Sequence, residues 1–171
     1  NLGTIAGNFV NASPIGDITA FFIALNSSIR LQNGAGNSRI VLLKDFYKGY
    51  KDLDKTEDEY ITQIQFPITN AQFNFEKVSK RTYLDIASVN TAISIRTDND
   101  IIVEVHASAG GVGPTPKYLA NTCGFLNGKT LSIDVVSEAI AVVQQEIAPI
   151  SDARGTEEYK RLLLKQLFFA H

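Results

Sequence analysis

The chain has 171 residues, 44% of them hydrophobic and 20% charged, with a net charge of -2. That composition is ordinary for a soluble globular protein, and the length suits one domain or two small ones with a core large enough to dispense with disulfides. The near-neutral balance gives no electrostatic reason to expect nucleic acid or a membrane surface as partner. No apolar run approaches the roughly 18 residues that span a bilayer.

Cys123 is the only cysteine. It has no partner for an internal disulfide and cannot by itself hold zinc or an iron–sulfur cluster, so no metal site is expected, and a reducing, cytoplasmic setting is. The two histidines, His106 and His171, are far apart, and His106 sits in an alternating apolar segment that reads as structural. The chain begins Asn-Leu-Gly-Thr, contains no methionine, and opens with neither a charged n-region nor an apolar h-region. It is expected to be cut from something larger or to lack its beginning.

In chain order, residues 1–17 are rich in Gly, Asn, Ser and Pro and predict a turn or ligand-approach loop. Asp17 is the expected N-cap of a helix over Ile18–Leu25, which is nearly all apolar and therefore expected to be buried. Ser28–Gln32 and Ser38–Leu42 predict two strands joined by the hairpin connection Asn33-Gly-Ala-Gly-Asn37. Leu43–Tyr50 predicts an aromatic turn or short helix, Asp52–Asp58 an exposed charged stretch, and Glu59–Phe66 a strand ended by Pro67. A boundary is expected near Pro67–Asn70, giving segments 1–67 and 72–171.

Beyond it, Gln72–Val78 predicts a strand with Phe73, Phe75 and Lys77 on one face, followed by a polar loop over Ser79–Leu84. Ile86–Arg96 predicts a strand of small and β-branched residues. Ile101–Ser108 predicts another, with Ile101, Val103, Val105 and Ala107 on one side. Three helices are expected after that. They are Pro116–Leu126, Ile133–Ile147, and a last one capped by Thr156 with Tyr159, Leu162, Leu163 and Phe169 on its core face. The fold class expected is α+β, with a small antiparallel sheet packed by C-terminal helices.

Four segments are candidates for chemistry. Thr4-Ile-Ala-Gly-Asn8 with Ser13-Pro-Ile-Gly-Asp17 combines glycines that admit a ligand close to the backbone with an acceptor-only carboxylate suited to a ribose hydroxyl or ring N–H. The alternative for the same residues is a Gly-rich connection capped by Asp17. Gly110-Gly-Val-Gly-Pro-Thr-Pro116 lacks the Gly-Lys-Ser/Thr of a nucleotide-binding P-loop and reads as a rigid turn. Val78–Asp85, with Lys80, Arg81 and Tyr83, fits either a partner for phosphate or for a flavin or nicotinamide ring, or a solvated loop. Ser151-Asp-Ala-Arg-Gly155 reads as an Asp152–Arg154 ion pair fixing a loop. No Ser-His-Asp, Cys-His or paired-carboxylate pattern occurs, so no catalytic residue is expected in the chain.

Asn1-Leu-Gly-Thr-Ile-Ala-Gly-Asn8, Ala12-Ser-Pro-Ile-Gly-Asp17, Asp45-Phe-Tyr-Lys-Gly-Tyr50, Glu59–Pro67, Phe75–Arg81, Asp85–Ala92, Gly110–Pro116 and Ile150–Gly155 occur in this order along the chain. Together they resemble the FAD-binding subunit of the molybdenum hydroxylases, nearest to bacterial xanthine dehydrogenase small subunits. The resemblance covers the end of a two-subdomain FAD-binding fold and the C-terminal flavoprotein domain. It implies that electrons pass from a molybdopterin centre through 2Fe-2S clusters to FAD and on to NAD, with the molybdenum-binding large subunit and an iron–sulfur domain or subunit as partners. By carry-over, Thr4, Ile5, Ala6, Gly7, Asn8 and Asp17 contact FAD and Ile61 packs against it. A further contact falls at Glu76 by strict register or at Lys77, and the loop around Tyr83 lies near the isoalloxazine. The same resemblance leaves open carbon monoxide, nicotinate or an aromatic acyl-CoA as substrate. A non-catalytic interaction module without flavin is the reading of a different class.

The family's first flavin segment and its cluster cysteines are absent from these residues. The 171-residue chain alone is therefore expected to bind FAD weakly or not at all. Stoichiometric flavin absorbance co-purifying with it would contradict that.

Overall fold

The computed structural model describes residues 3–83 and 85–171. Asn1 and Leu2 of the opening motif, and Leu84 of the polar loop, lie outside them. The first part holds α1 (Ile5–Asn11), α2 (Asp17–Ala24), β1 (Ser28–Gln32), β2 (Ser38–Leu42), a 3-10 turn at Leu43–Asp45, β3 (Tyr47–Gly49), β4 (Asp52–Leu53) and β5 (Tyr60–Gln65). The second holds β6 (Gln72–Ser79), β7 (Ala87–Asp98), β8 (Ile101–Gly110), β9 (Lys117–Tyr118), α3 (Ala120–Leu126), α4 (Ile133–Glu146) and α5 (Glu157–Ala170). The chain is α+β, as its sequence predicts. No helix among the described residues is long and apolar enough to cross a membrane.

Among the described residues three antiparallel sheets form, ordered β2-β1-β5, β3-β4 and β6-β7-β8-β9. The β1–β2 hairpin closes as expected. Asn33 Oδ1 accepts from the N–H groups of Ala35 and Asn37, and Gly36 supplies the left-handed position at φ 86°. The first core gathers around Phe9, Ile23, Leu31 and Phe46, with Ile61 and Ile64 of β5 packed against it. Phe9, Leu31 and Phe46 are fully buried, and each is worth about 2–3 kcal/mol in transfer free energy.

β7 is buried from Ala87 to Ala92 because both faces of its sheet are covered. Val89 joins α3, α4 and α5 in the second core. The opposite face carries small residues at Ser88, Asn90, Ala92, Ser94 and Ser108, and α2 lies on it through Ala20 and Ala24. Ser108 Oγ donates to Ala20 O at 2.6 Å, satisfying a buried hydroxyl in the contact.

Several expectations are corrected. The loop predicted over residues 1–17 contains α1. The stretch predicted as exposed and charged over Asp52–Asp58 begins with β4, and the helix predicted from Pro116 starts only at Ala120, after β9 pairs Tyr118 with Ser108. In β8 the pairing shifts between Arg96/Glu104 and Thr97/Ile102, a bulge that inverts the alternation. Ile102, Val105 and Ala107 point inward, while Ile101 and Val103 are exposed. In α5 the buried face is Lys160, Leu164, Leu167 and Phe168, whereas Tyr159, Leu162 and Phe169 are exposed. The apolar pattern misplaced that face because a lysine occupies it. Lys160 Nζ donates to Ile150 O and pairs with Asp152 Oδ2, both at 2.8 Å. Asp152 thus pairs with Lys160, not with Arg154, whose backbone N–H it accepts.

Arg39 on β2 forks to Glu59 at 2.8 Å and Asp54 at 3.0 Å, clipping β2 to the segment that leads into β5. The Arg39 bonds, aided by the Thr56 N–H, hold the Glu59 carboxyl at about 2 from an ordinary 4.5. A carboxyl depressed on folding contributes stability that is fully present above its unfolded value and lost as pH falls through the folded one. The melting temperature is therefore expected to fall between about pH 5 and about pH 2, and to fall less steeply in Glu59→Gln across that window. Equal slopes would contradict the assignment.

Candidate functional site

Thr4 is the N-cap of α1, its Oγ1 accepting the Gly7 N–H at 2.9 Å. A Cβ on Gly7 would sit 3.0 Å from that oxygen, so glycine keeps the cap uncrowded. Thr4–Asn8 is thus the first turn of a helix, not an open loop. Ala12 ends it in the left-handed region, at φ 50°. Ser13–Gly16 turn the chain, with Gly16 N donating to Ser13 O at 3.0 Å. Gly16, not Asp17, is the N-cap of α2, which leaves the Asp17 carboxylate in the first turn, where the helix end favours negative charge.

That carboxylate is held from the second sheet. Lys77 Nζ on β6 meets Asp17 Oδ2 at 2.6 Å, and Asn90 Nδ2 on β7 meets Asp17 Oδ1 at 2.6 Å. Lys77 also donates to Asp85 O at 2.7 Å. Strand alternation sets the two residues weighed for a flavin contact on opposite faces of β6. Phe73, Phe75 and Lys77 face α2, while Glu76 accepts from Asn74 Nδ2 on the other side. Asp17 stays about one-third exposed.

Beside it lies a cleft of about 340 Å³ lined by Ile5, Asp17, Ile18, Phe21, Phe22 and Phe75. Phe21 stands edge-on to Phe22 at 5.4 Å and to Phe73 at 4.7 Å between centroids, giving the wall defined aromatic surfaces. Ile5, Ile18 and Phe21 are 42%, 38% and 36% exposed, so α2 is not buried all round as its sequence predicts. Apolar walls with one ion-paired carboxylate suit a ligand with a flat apolar portion and an N–H or O–H donor. They do not supply acid–base chemistry.

The structure brings Ile5, Asp17 and Lys77 together. Ile61 does not line this cleft; it pairs with Leu31 and packs into the first core. Tyr83 is 82% exposed, on a turn held by Asp85, which accepts from Arg81 N at 2.8 Å. The Arg81 bonds keep the Asp85 carboxyl below the usual carboxylate range. Gly111, at φ 82°, donates its N–H to Pro14 O at 2.9 Å, and a Cβ there would meet Ser88 O at 2.4 Å. The Gly-rich segment is thus a close backbone seam. His106 bonds Tyr118 and is half-buried, which pushes its imidazole pKa down, and burial pushes the Cys123 thiol up. No group of three His, Cys, Asp or Glu able to hold a metal occurs among the described residues.

Sequence reasoning missed Asn90, Phe21 and Phe75 as site residues. An amide in the apolar strand Ala87–Ile93 was a usable signal, since a buried Asn demands partners. The aromatic pair carried none beyond core packing. Replacing Asp17 by Ala removes two hydrogen bonds to a charged group and leaves Lys77 with Asp85 O. We expect Asp17→Ala to lower stability by about 2 kcal/mol in chemical denaturation. A change within about 0.5 kcal/mol would show that the node is too solvated to matter.

Residues 74–171 match the family model described as CO dehydrogenase flavoprotein C-terminal domain, and residues 1–69 match that described as FAD binding domain in molybdopterin dehydrogenase. The glyceraldehyde dehydrogenase medium chain of Sulfolobus acidocaldarius is 33% identical over 167 residues, covering 98% of this chain and 59% of that one. Xanthine dehydrogenase 1 of Arabidopsis thaliana is 28% identical over 177 residues, covering 99% of this chain and 13% of that protein. Among solved structures, reconstituted CO dehydrogenase from Oligotropha carboxidovorans matches with a TM-score of 0.88 at 27% identity, over 97% of this chain and 58% of that chain. This chain therefore spans well under two thirds of the relatives it matches. From the two family models, which follow one another along it, the chain belongs to the FAD-binding flavoprotein family of the molybdenum hydroxylases.

Proposed function

We propose that this chain is the flavin-binding, electron-transferring part of a molybdenum hydroxylase, with residues 1–67 closing the FAD domain and 72–171 forming the flavoprotein C-terminal domain. The observation that carries this is Asp17, ion-paired and about one-third exposed, beside an apolar, aromatic-walled cleft. Those residues fit a flavin nucleotide. The carboxylate accepts from a hydroxyl or ring N–H, and Ile5, Ile18, Phe21 and Phe75 take up flat apolar surface. Thr4, Ala6, Gly7 and Asn8 flank Ile5 along the chain and are proposed as further contacts. Lys77 offsets the Asp17 charge. Ile61 is proposed on the resemblance alone.

FAD, when bound, supplies two-electron acceptance and onward transfer. This chain's residues bind, orient and shield; none of them is proposed to move a proton. The proposed partners are a molybdenum-binding large subunit with molybdopterin, an iron–sulfur domain or subunit with 2Fe-2S clusters, and NAD as electron acceptor, in a reducing, cytoplasmic compartment. Xanthine is the proposed substrate. Its choice is made at the molybdenum centre of the partner, so relatives named for glyceraldehyde and carbon monoxide are compatible with the same role for this chain.

The intact protein in its native complex is expected to carry one FAD, and Asp17→Ala to weaken FAD binding about tenfold or more, the worth of one hydrogen bond to a charged group. Absence of flavin from the intact complex would contradict the proposal. The same preparation is expected to form urate from xanthine with NAD; flavin without urate would keep the role and discard the substrate.

A further inference from the structure

We propose that Asn90 is a positioning residue that fixes the Asp17 carboxylate for the flavin, so that the flavoprotein C-terminal segment completes a site whose ligating carboxylate comes from the preceding one. This rests on the reading of Asp17 as a flavin contact.

Asn90 is fully buried near the start of β7, paired with Lys77 on one side and Gly110 on the other. Its Nδ2 reaches two acceptors, Asp17 Oδ1 at 2.6 Å and Ile15 O at 3.2 Å. Its Oδ1 has no partner among the described residues. The opposite amide orientation would set that oxygen against a carboxylate and a carbonyl, two acceptors facing an acceptor. The amide is thereby locked, at the cost of an unsatisfied buried oxygen. Gly110 makes room for the amide, since a Cβ there would stand 2.5 Å from Asn90 Oδ1.

The lock sets the Asp17 carboxylate. Asn90 takes one oxygen and Lys77 the other, so rotation about the Cβ–Cγ bond would break both bonds. Each oxygen keeps a second lone pair, and the Asp17 side chain, beside the cleft, is still about one-third exposed. Asn90 does this without adding charge, whereas a second lysine would leave the cluster with a net positive charge. A burial-only role would have been filled by Val, which suits a strand better and orphans no oxygen.

The test is a double-mutant cycle on FAD dissociation in the full-length protein within its complex, using Asn90→Ala and Asp17→Ala. Asn90→Ala is expected to weaken FAD binding about tenfold when Asp17 is present and to add nothing when Asp17 is already Ala. The visible circular dichroism of the bound flavin in Asn90→Ala is expected to shift toward that of Asp17→Ala. Unchanged affinity in Asn90→Ala, or losses that multiply in the double variant, would overturn the inference. If Asn90→Ala fails to fold, Asn90→Ser, whose hydroxyl is too short to reach Asp17, is held to the same outcomes. A wild-type complex without FAD overturns the flavin reading and this inference together; FAD binding that ignores Asn90 overturns this one alone.

Discussion

Asp17 sits where two separately cored parts of the chain meet, and the structure around it follows from what that carboxylate requires. A charge at such a seam is costly unless it is paired and hydrogen-bonded. Lys77 and Asn90 meet it from the second sheet, each at 2.6 Å. For them to reach it, α2 must lie close on β7 and β8, and the small side chains on that face allow this. Ser108 bonds Ala20 O and Gly111 bonds Pro14 O, so the backbone of the first part is stitched to the second on both sides of Asp17.

The same constraint explains the glycines. Gly110 and Gly111 end β8 where any side chain would strike Asn90 or Ser88. Their role is to let β7, β8 and the turn before α2 approach, rather than to cradle a phosphate themselves. Buried Lys160, through its pair with Asp152, fastens the loop that follows α4 to α5. Charges are thus used sparingly and at junctions, while Phe9, Phe46, Val89 and Leu164 fill the two cores.

Much of this is legible in the sequence, for physical reasons that differ by element. The β1–β2 hairpin and the Thr156 cap are local, and local chemistry predicts them. Phe73, Phe75 and Lys77 sharing a face follows from the period of a strand. What fails are features that depend on distant partners. The bulge at Ile102–Glu104 inverts an otherwise clean alternation, and Lys160 turns the α5 core face through a pairing 8 residues back, with Asp152. Helix α1 was hidden by its glycine and asparagines, which are poor helix formers in isolation; Thr4 and the burial of Phe9 override that propensity. Asn90 is legible only as an anomaly in an apolar strand, because its partners, Ile15 and Asp17, lie more than 70 residues away.

The flavin reading and the positioning role of Asn90 converge on one atom group, and a crystal structure of the intact protein with FAD bound tests them most directly. The account predicts an Asp17 carboxylate oxygen within about 3.2 Å of a hydroxyl or N–H of FAD, a normal hydrogen-bond distance, with the Asn90 and Lys77 bonds retained. FAD seated away from the Ile5–Phe75 cleft, or Asp17 turned from Asn90 in the bound state, would contradict it.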